Sequence, residues 1–187
     1  MRDDLTDYKY DSSRTCEYEN CGVDYFFNKK DLRELLLQCH HNEINVFVHC
    51  NGDKAADNFL DALDWVRHRA IVKNPTKFTI IHAQTLREDQ LDRMAELDVQ
   101  VSFYSTQIYF WGDYHYDIFL GPERTLFMNP IKSAIQRNIT YSLHNDSPVV
   151  VTGIYEGMNT FLKSVECAVT RKTKGGRILN PDEIITV

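Results

Sequence analysis

Four short apolar runs, separated by longer amphipathic segments, constrain the fold of this chain more than any other feature of its sequence. The runs are rich in β-branched and aromatic residues and are bounded by polar residues, a pattern typical of buried β-strands. They are INVFVH at 44–49, FTIIHA at 78–83, VQVSFY at 99–104 and ITYSLHND at 139–146. The sequence therefore predicts four strands.

The segments around these runs carry apolar residues at helical spacing. Helices are predicted from Lys30 onward and over 53–72, 87–98, 131–138 and 159–173. Asp53 is placed to cap the second of them. Because strands and helices alternate along the chain, the pattern indicates an α/β fold whose parallel strands are joined by crossover helices.

Two architectures accommodate four such units, a small doubly wound sheet and part of a (βα)8 barrel. A complete barrel takes about 250 residues, whereas this chain has 187. We therefore expect either an open sheet or an incomplete barrel. A nucleotide-binding doubly wound sheet is disfavoured, because the sequence contains neither a G-x-G-x-x-G motif nor a P-loop.

Charge and composition argue against several classes of partner. The net charge is -6, the pI is about 5.6 and no basic block occurs, so we expect no nucleic-acid partner and no membrane partner. The apolar runs are far shorter than a membrane span, and MRDDLTDYKYDSSR at the N-terminus lacks the apolar core of a signal peptide. These features predict a cytoplasmic protein whose five cysteines are free thiols.

Metal-capable side chains stand at the ends of three of the four predicted strands. The first run ends on His49, the second reaches His82 and the fourth ends on Asp146. The third ends near Ser102 and Tyr104, which offer no obvious ligand. Ligand groups gather at the C-terminal ends of parallel strands. Two imidazoles and a carboxylate suit a zinc-like divalent ion that keeps an open position for water.

Each histidine taken singly could instead be a buried side chain that only makes hydrogen bonds. Three such residues at strand ends favour a site over that alternative. His144 lies two residues before Asp146, and the alternation of a strand puts both side chains on one face. His144 could therefore be a further ligand or could contact the substrate.

Four motifs occur in a fixed order along the chain: VHCNGDKAADNFLDALD, IIHAQTLREDQLDRMAELDVQVS, FLGPERT and HNDSPV. Together they resemble the metal-dependent amidohydrolase superfamily, in the branch that includes N-substituted formamide deformylase. The resemblance covers residues 20 to 187. It implies a partial TIM-type (βα)8 barrel, a half barrel whose parallel strands correspond to barrel strands 5 to 8.

The resemblance also implies roles for individual residues. His49 would be the metal ligand of strand 5, His82 that of strand 6 and Asp146 the aspartate of strand 8. In the family this aspartate binds the metal and passes a proton from water to the leaving amine, so Asp146 is the predicted catalytic residue. Arg124 matches a position on the connection that covers the pocket, and Arg124 and His144 are the predicted substrate contacts. The implied cofactor is a divalent metal, with zinc expected.

Two elements of the family's site have no counterpart in this sequence, the His-x-His pair of strand 1 and the bridging residue of strand 4. We therefore expect a fragment, with a polar and aromatic arm at 1–29 and a C-terminal half-barrel at 30–187. Half a barrel leaves strand edges and an apolar face uncovered. This predicts a homo-oligomer or a complementing half-barrel chain.

Two functions follow from this interpretation. The first is part of a hydrolase that cleaves the C–N bond of a small-molecule amide, formamide or cyclic amide with metal-activated water. The second is a catalytically inactive half-barrel that only binds metal or a partner chain. The presence of His49, His82 and Asp146 favours the first function, and the missing strand 1 pair favours the second for this chain alone.

Overall fold

The computed structural model describes residues 28–69, 76–146 and 160–186. Apart from its last two residues, the predicted arm at 1–29 lies outside the described residues. Four strands are present, as predicted: β1 Val46–Cys50, β2 Phe78–His82, β3 Val99–Tyr104 and β4 Tyr141–His144. They form one parallel sheet in the order β1-β2-β3-β4.

Seven α-helices occur in the described residues. They are α1 Lys29–His41, α2 Asp53–Arg67, α3 Glu88–Glu96, α4 Gln107–Tyr114, α5 Gly121–Thr125, α6 Ile131–Gln136 and α7 Thr160–Thr170. A π-helical turn, His115–Phe119, follows α4, and a short 3₁₀ helix, Pro181–Glu183, follows α7. None of the helices in the described ranges is long and apolar enough to cross a membrane.

Local sequence explains where the helices begin. The side chain of Asn28 caps α1 by accepting hydrogen bonds from the backbone amides of Lys30 and Asp31. The prediction that Asp53 caps α2 is wrong. Gly52 is the N-cap and Asp53 is the first helical residue, where its buried carboxylate lies 3.3 Å from the guanidinium of Arg87. Asp53 therefore joins α2 to the start of α3.

One face of the sheet is covered by helices and forms the main core. Alternate residues of the two central strands point to this face and pack against α2 and α3. They are fully or almost fully buried: Phe78, Ile80, Val99, Val101 and Phe103. The opposite face is more open. On β1 it carries Phe47, which is 73% exposed, and His49, which is also exposed.

The long aromatic connection between β3 and β4 folds into α4, the π-helical turn and α5, elements that the sequence did not predict. It builds a second, smaller core from Ile108, Leu120, Met128 and Leu179. Gly112 on α4 allows this packing, because a Cβ at that position would lie 2.7 Å from a side-chain atom of Thr173. The connection therefore packs closely against the C-terminal segment.

Candidate metal centre

Three histidines from three strands lie together at the C-terminal edge of the sheet. The ring centroids of His49 and His82 are 4.3 Å apart, with the planes at 88°, and those of His82 and His144 are 5.0 Å apart. His49 belongs to β1, His82 ends β2 and His144 ends β4. Parallel pairing brings these strand ends to the same edge, as the sequence predicts.

The backbone of His82 explains how its ring reaches the other two. In the register of the sheet His82 is opposite Cys50 and Phe103, whose side chains lie on the core face. Simple alternation would put its imidazole on that face as well. His82 instead has a left-handed backbone, with φ at 77°. We attribute to this turn the position of its ring beside His49 and His144 on the open face.

Three side chains bring ligand atoms within metal-binding reach of one another. One ring nitrogen each of His82 and His144 and a carboxylate oxygen of Asp146 all lie within 4.8 Å of one another. Asp146, like His82, has a left-handed backbone, with φ at 54°. Non-glycine residues adopt this conformation at a cost of roughly 1–3 kcal/mol, and they cluster at functional sites.

The donor set of this cluster suits a divalent metal. Two imidazoles and one carboxylate are ligands that such an ion accepts, and they leave a coordination position open. The Nε2 atom of His144 is buried and has no hydrogen bond to any of the described residues. A metal ion would give this nitrogen a partner.

Burial also keeps His144 in the form that binds metal. It lowers the pKa of the imidazole, while the charge of Asp146 and a hydrogen bond with the backbone of Ser102 oppose the change, and the nearby ring of His49 adds a smaller lowering. The net effect favours the neutral ring, which has a free lone pair.

Four of the five predicted site residues lie together, and Arg124 lies on a different element. The ligand atoms of His82, His144 and Asp146 lie within 4.8 Å of one another, and the ring of His49 lies against that of His82. Arg124 is half-buried on α5, in the connection after β3. Its predicted contact with the substrate stays a prediction.

Tyr104, at the end of β3, belongs to this site although it offers no obvious ligand. Its ring is stacked on that of His144, with centroids 5.5 Å apart and planes at 21°, and it lies 5.7 Å from the ring of His82. Burial raises the pKa of its phenol to about 12. Tyr104 and His144 are paired neighbours in the register of β3 and β4, so their side chains lie on the same face of the sheet.

The π-helical turn adds a histidine, His115, that no motif of the sequence marks. The amide nitrogen of Gln84, two residues after His82, lies 2.9 Å from Nε2 of His115. Burial lowers the pKa of His115 to about 4, so this ring is neutral at ordinary pH. Gln84 thus links the loop after β2 to the connection after α4. Helical π-turns occur often at functional sites.

The fold and the site define a parallel α/β protein with metal-type ligands at the C-terminal ends of its strands. The family model that matches is the amidohydrolase family, over residues 10–187. The chain belongs to this family. The resemblance predicted from its motifs is therefore confirmed.

Individual relatives agree with this assignment. The chain is 28% identical over 162 residues to N-substituted formamide deformylase of Arthrobacter pascens, a match that covers 86% of this chain and 28% of that protein. Two solved structures, both of uncharacterized metal-dependent hydrolases, share its fold. The one from Pyrococcus furiosus has a TM-score of 0.71 at 24% identity, and the one from Pyrococcus horikoshii OT3 has 0.73 at 23%.

The two structural matches extend over nearly the whole of this chain. They cover 99% and 98% of it, and the chain spans 34% of the length of each solved structure. The predicted α/β fold, with parallel strands that form part of a TIM-type barrel, is thereby confirmed. The assignment of β1 to β4 to barrel strands 5 to 8 stays a prediction.

Proposed function

We propose that this chain supplies one side of the active site of a metal-dependent amidohydrolase. The reaction is hydrolysis of the C–N bond of a small amide, formamide or cyclic amide, with zinc as the metal. The observation that carries the proposal is the convergence of ligand atoms from His82, His144 and Asp146 at the strand ends. Family membership supports the reaction class, and the formamide deformylase supports the choice of substrate.

Each residue of the site has a defined part in this reaction. A divalent ion bound here supplies Lewis acidity, which lowers the pKa of a water molecule and polarises a carbonyl group. His82 and His144 would hold the ion through ring nitrogens, and His49, whose ring lies against that of His82, would be the further ligand that the resemblance implies. Asp146 accepts a proton from water at a carboxylate oxygen and delivers it to the leaving nitrogen as the C–N bond breaks.

The metal content of the purified protein tests the site directly. Without added metal, elemental mass spectrometry should find about one zinc ion per chain. His82→Ala should lose most of it, because one of three converging donors is gone. His68→Ala is the matched control, since its exposed ring contacts only its own helix partner Asp64 among the contacts described. A metal-free protein, or equal zinc in all three samples, would contradict the proposal.

The open face of the sheet favours a second candidate function, a half-barrel that binds metal or a partner chain without catalysis. Phe47 is 73% exposed there, and β1 is hydrogen-bonded by another described strand on one side only. Such surface favours a second copy or a complementing half-barrel. Light scattering would report the assembly. Stoichiometric zinc without amine release from a panel of N-alkyl and N-aryl formamides would favour this second function.

A further inference from the structure

Tyr104 stands in the middle of the candidate centre although nothing in its side chain marks it as a metal ligand. It ends β3, between the strands that supply His82 and His144. Its ring is stacked on one of these imidazoles and meets the other at an angle of 60°. The phenol is therefore fixed on both sides by the two residues proposed to hold the ion.

The hydroxyl of Tyr104 is buried, and its proton has no acceptor in normal hydrogen-bond geometry among the described residues. The residue is only 2% exposed, and its oxygen makes no hydrogen bond within the usual distance and angle limits. Burial raises the pKa of this phenol, whereas the nearby side chains of Trp111 and Thr106 act on its oxygen as donors and lower the pKa by less. Buried polar groups nearly always have such a partner, and an unsatisfied one costs stability. A ligand oxygen that enters the site would satisfy this hydroxyl.

The chemistry of amide hydrolysis supplies such an oxygen. When water adds to the carbonyl carbon, a new C–O bond forms and the electron pair of the C=O double bond moves onto the carbonyl oxygen. A fixed donor aimed at that oxygen stabilises the charge that develops there. A phenol, whose ordinary pKa is about 10, is a donor at neutral pH. It keeps its proton throughout, so the balance of the reaction is unchanged.

We propose that Tyr104 is a substrate-contacting residue whose hydroxyl donates a hydrogen bond to the carbonyl oxygen of the amide. This inference rests on the proposed function. It assigns a donor to β3, the one strand of the sheet that offers no metal ligand, and it leaves the metal ligands as they are.

A binding experiment tests this role without relying on turnover. The protein is loaded with Co²⁺ and titrated with butylphosphonate, whose tetrahedral anion resembles the hydrated amide, while the visible absorption of the cobalt is followed. Tyr104→Phe keeps the stacked ring and removes only the hydroxyl. Tyr141→Phe is the matched control, because Tyr141 is an exposed tyrosine on the neighbouring strand.

We expect all three proteins to bind equal amounts of cobalt. The Kd of butylphosphonate should rise roughly tenfold to hundredfold in Tyr104→Phe, the effect of losing one hydrogen bond to a charged acceptor, and stay unchanged in Tyr141→Phe. Equal affinity in both variants, or no phosphonate binding by the unmodified cobalt protein, would overturn this inference and leave the metal site standing. Failure of the unmodified protein to take up cobalt would overturn the proposed function, and this inference with it.

Discussion

Arg171, just after α7, holds the connection between β3 and β4 against the C-terminal segment. Its side chain is fully buried, at 0% exposure. The guanidinium donates hydrogen bonds to the backbone carbonyls of Met128, Asn129 and Leu179, at 2.6, 2.9 and 2.6 Å. Burial lowers the pKa of the guanidinium to about 10, because the charged form loses its hydration. We predict that Arg171→Met strongly destabilises the protein.

The size of this effect follows from two opposed contributions. Three buried carbonyls lose their donor, and each unsatisfied group costs about 1–3 kcal/mol. Removing the buried charge offsets part of this loss of stability, because the desolvation cost of the guanidinium disappears. The net loss in the free energy of unfolding should be about 3–5 kcal/mol, the lower part of the sum for three unsatisfied carbonyls. A domain of ordinary stability has about 5–15 kcal/mol in total.

Urea unfolding followed by circular dichroism measures this loss. The matched control is Arg93→Met, because Arg93 is partly exposed and pairs with Asp61 across the surface of α2 and α3. Such a surface pair contributes about 0–1 kcal/mol. A loss below about 1 kcal/mol for Arg171→Met, or one equal to that of the control, would show that the three carbonyls find other donors and would refute the reasoning.

Two further predictions concern groups that join distant segments. Glu183 accepts hydrogen bonds from the backbone amides of Lys132 and Ser133 and so caps α6 from another part of the chain; Glu183→Ala should lower the free energy of unfolding by about 1–2 kcal/mol in the same urea assay, and an unchanged midpoint would contradict this. His115 has a folded pKa of about 4 against an ordinary 6.5, so the unfolded chain binds more protons between these values and stability falls as pH drops from 6.5 to 4. His115→Gln should lose less stability than the unmodified protein over that range, whereas an equal loss would show that other groups control the acid response.

Hydrophobic periodicity predicted the strands and most helices of this fold because the main core repeats the same local pattern. In β3 the predicted and observed bounds agree at 99–104, where Val99, Val101 and Phe103 alternate with polar residues. The connection after β3 lacks such a stripe. Its α4 helix packs through Ile108 and Gly112 onto a segment more than sixty residues later. Gly112 disfavours a helix when the sequence is considered alone, but a larger residue would not fit at this position of the fold.

The candidate site shows a different limit on prediction. Chain order and the rule for parallel strands place His49, His82 and Asp146 at one edge of the sheet, so the positions of these three residues could be predicted from the sequence. Which side chains converge depends on backbone torsions that no residue pattern marks, since the left-handed φ values occur at a histidine and an aspartate rather than at glycines. Alternation alone would put His82 in the core beside Ile80. Because this conformation is costly for a residue with a side chain, its presence at two of the three converging donors argues that the surrounding fold imposes it. The ligand cluster is thus a property of the assembled sheet edge, and the His82→Ala measurement of zinc tests whether the strained histidine serves metal binding.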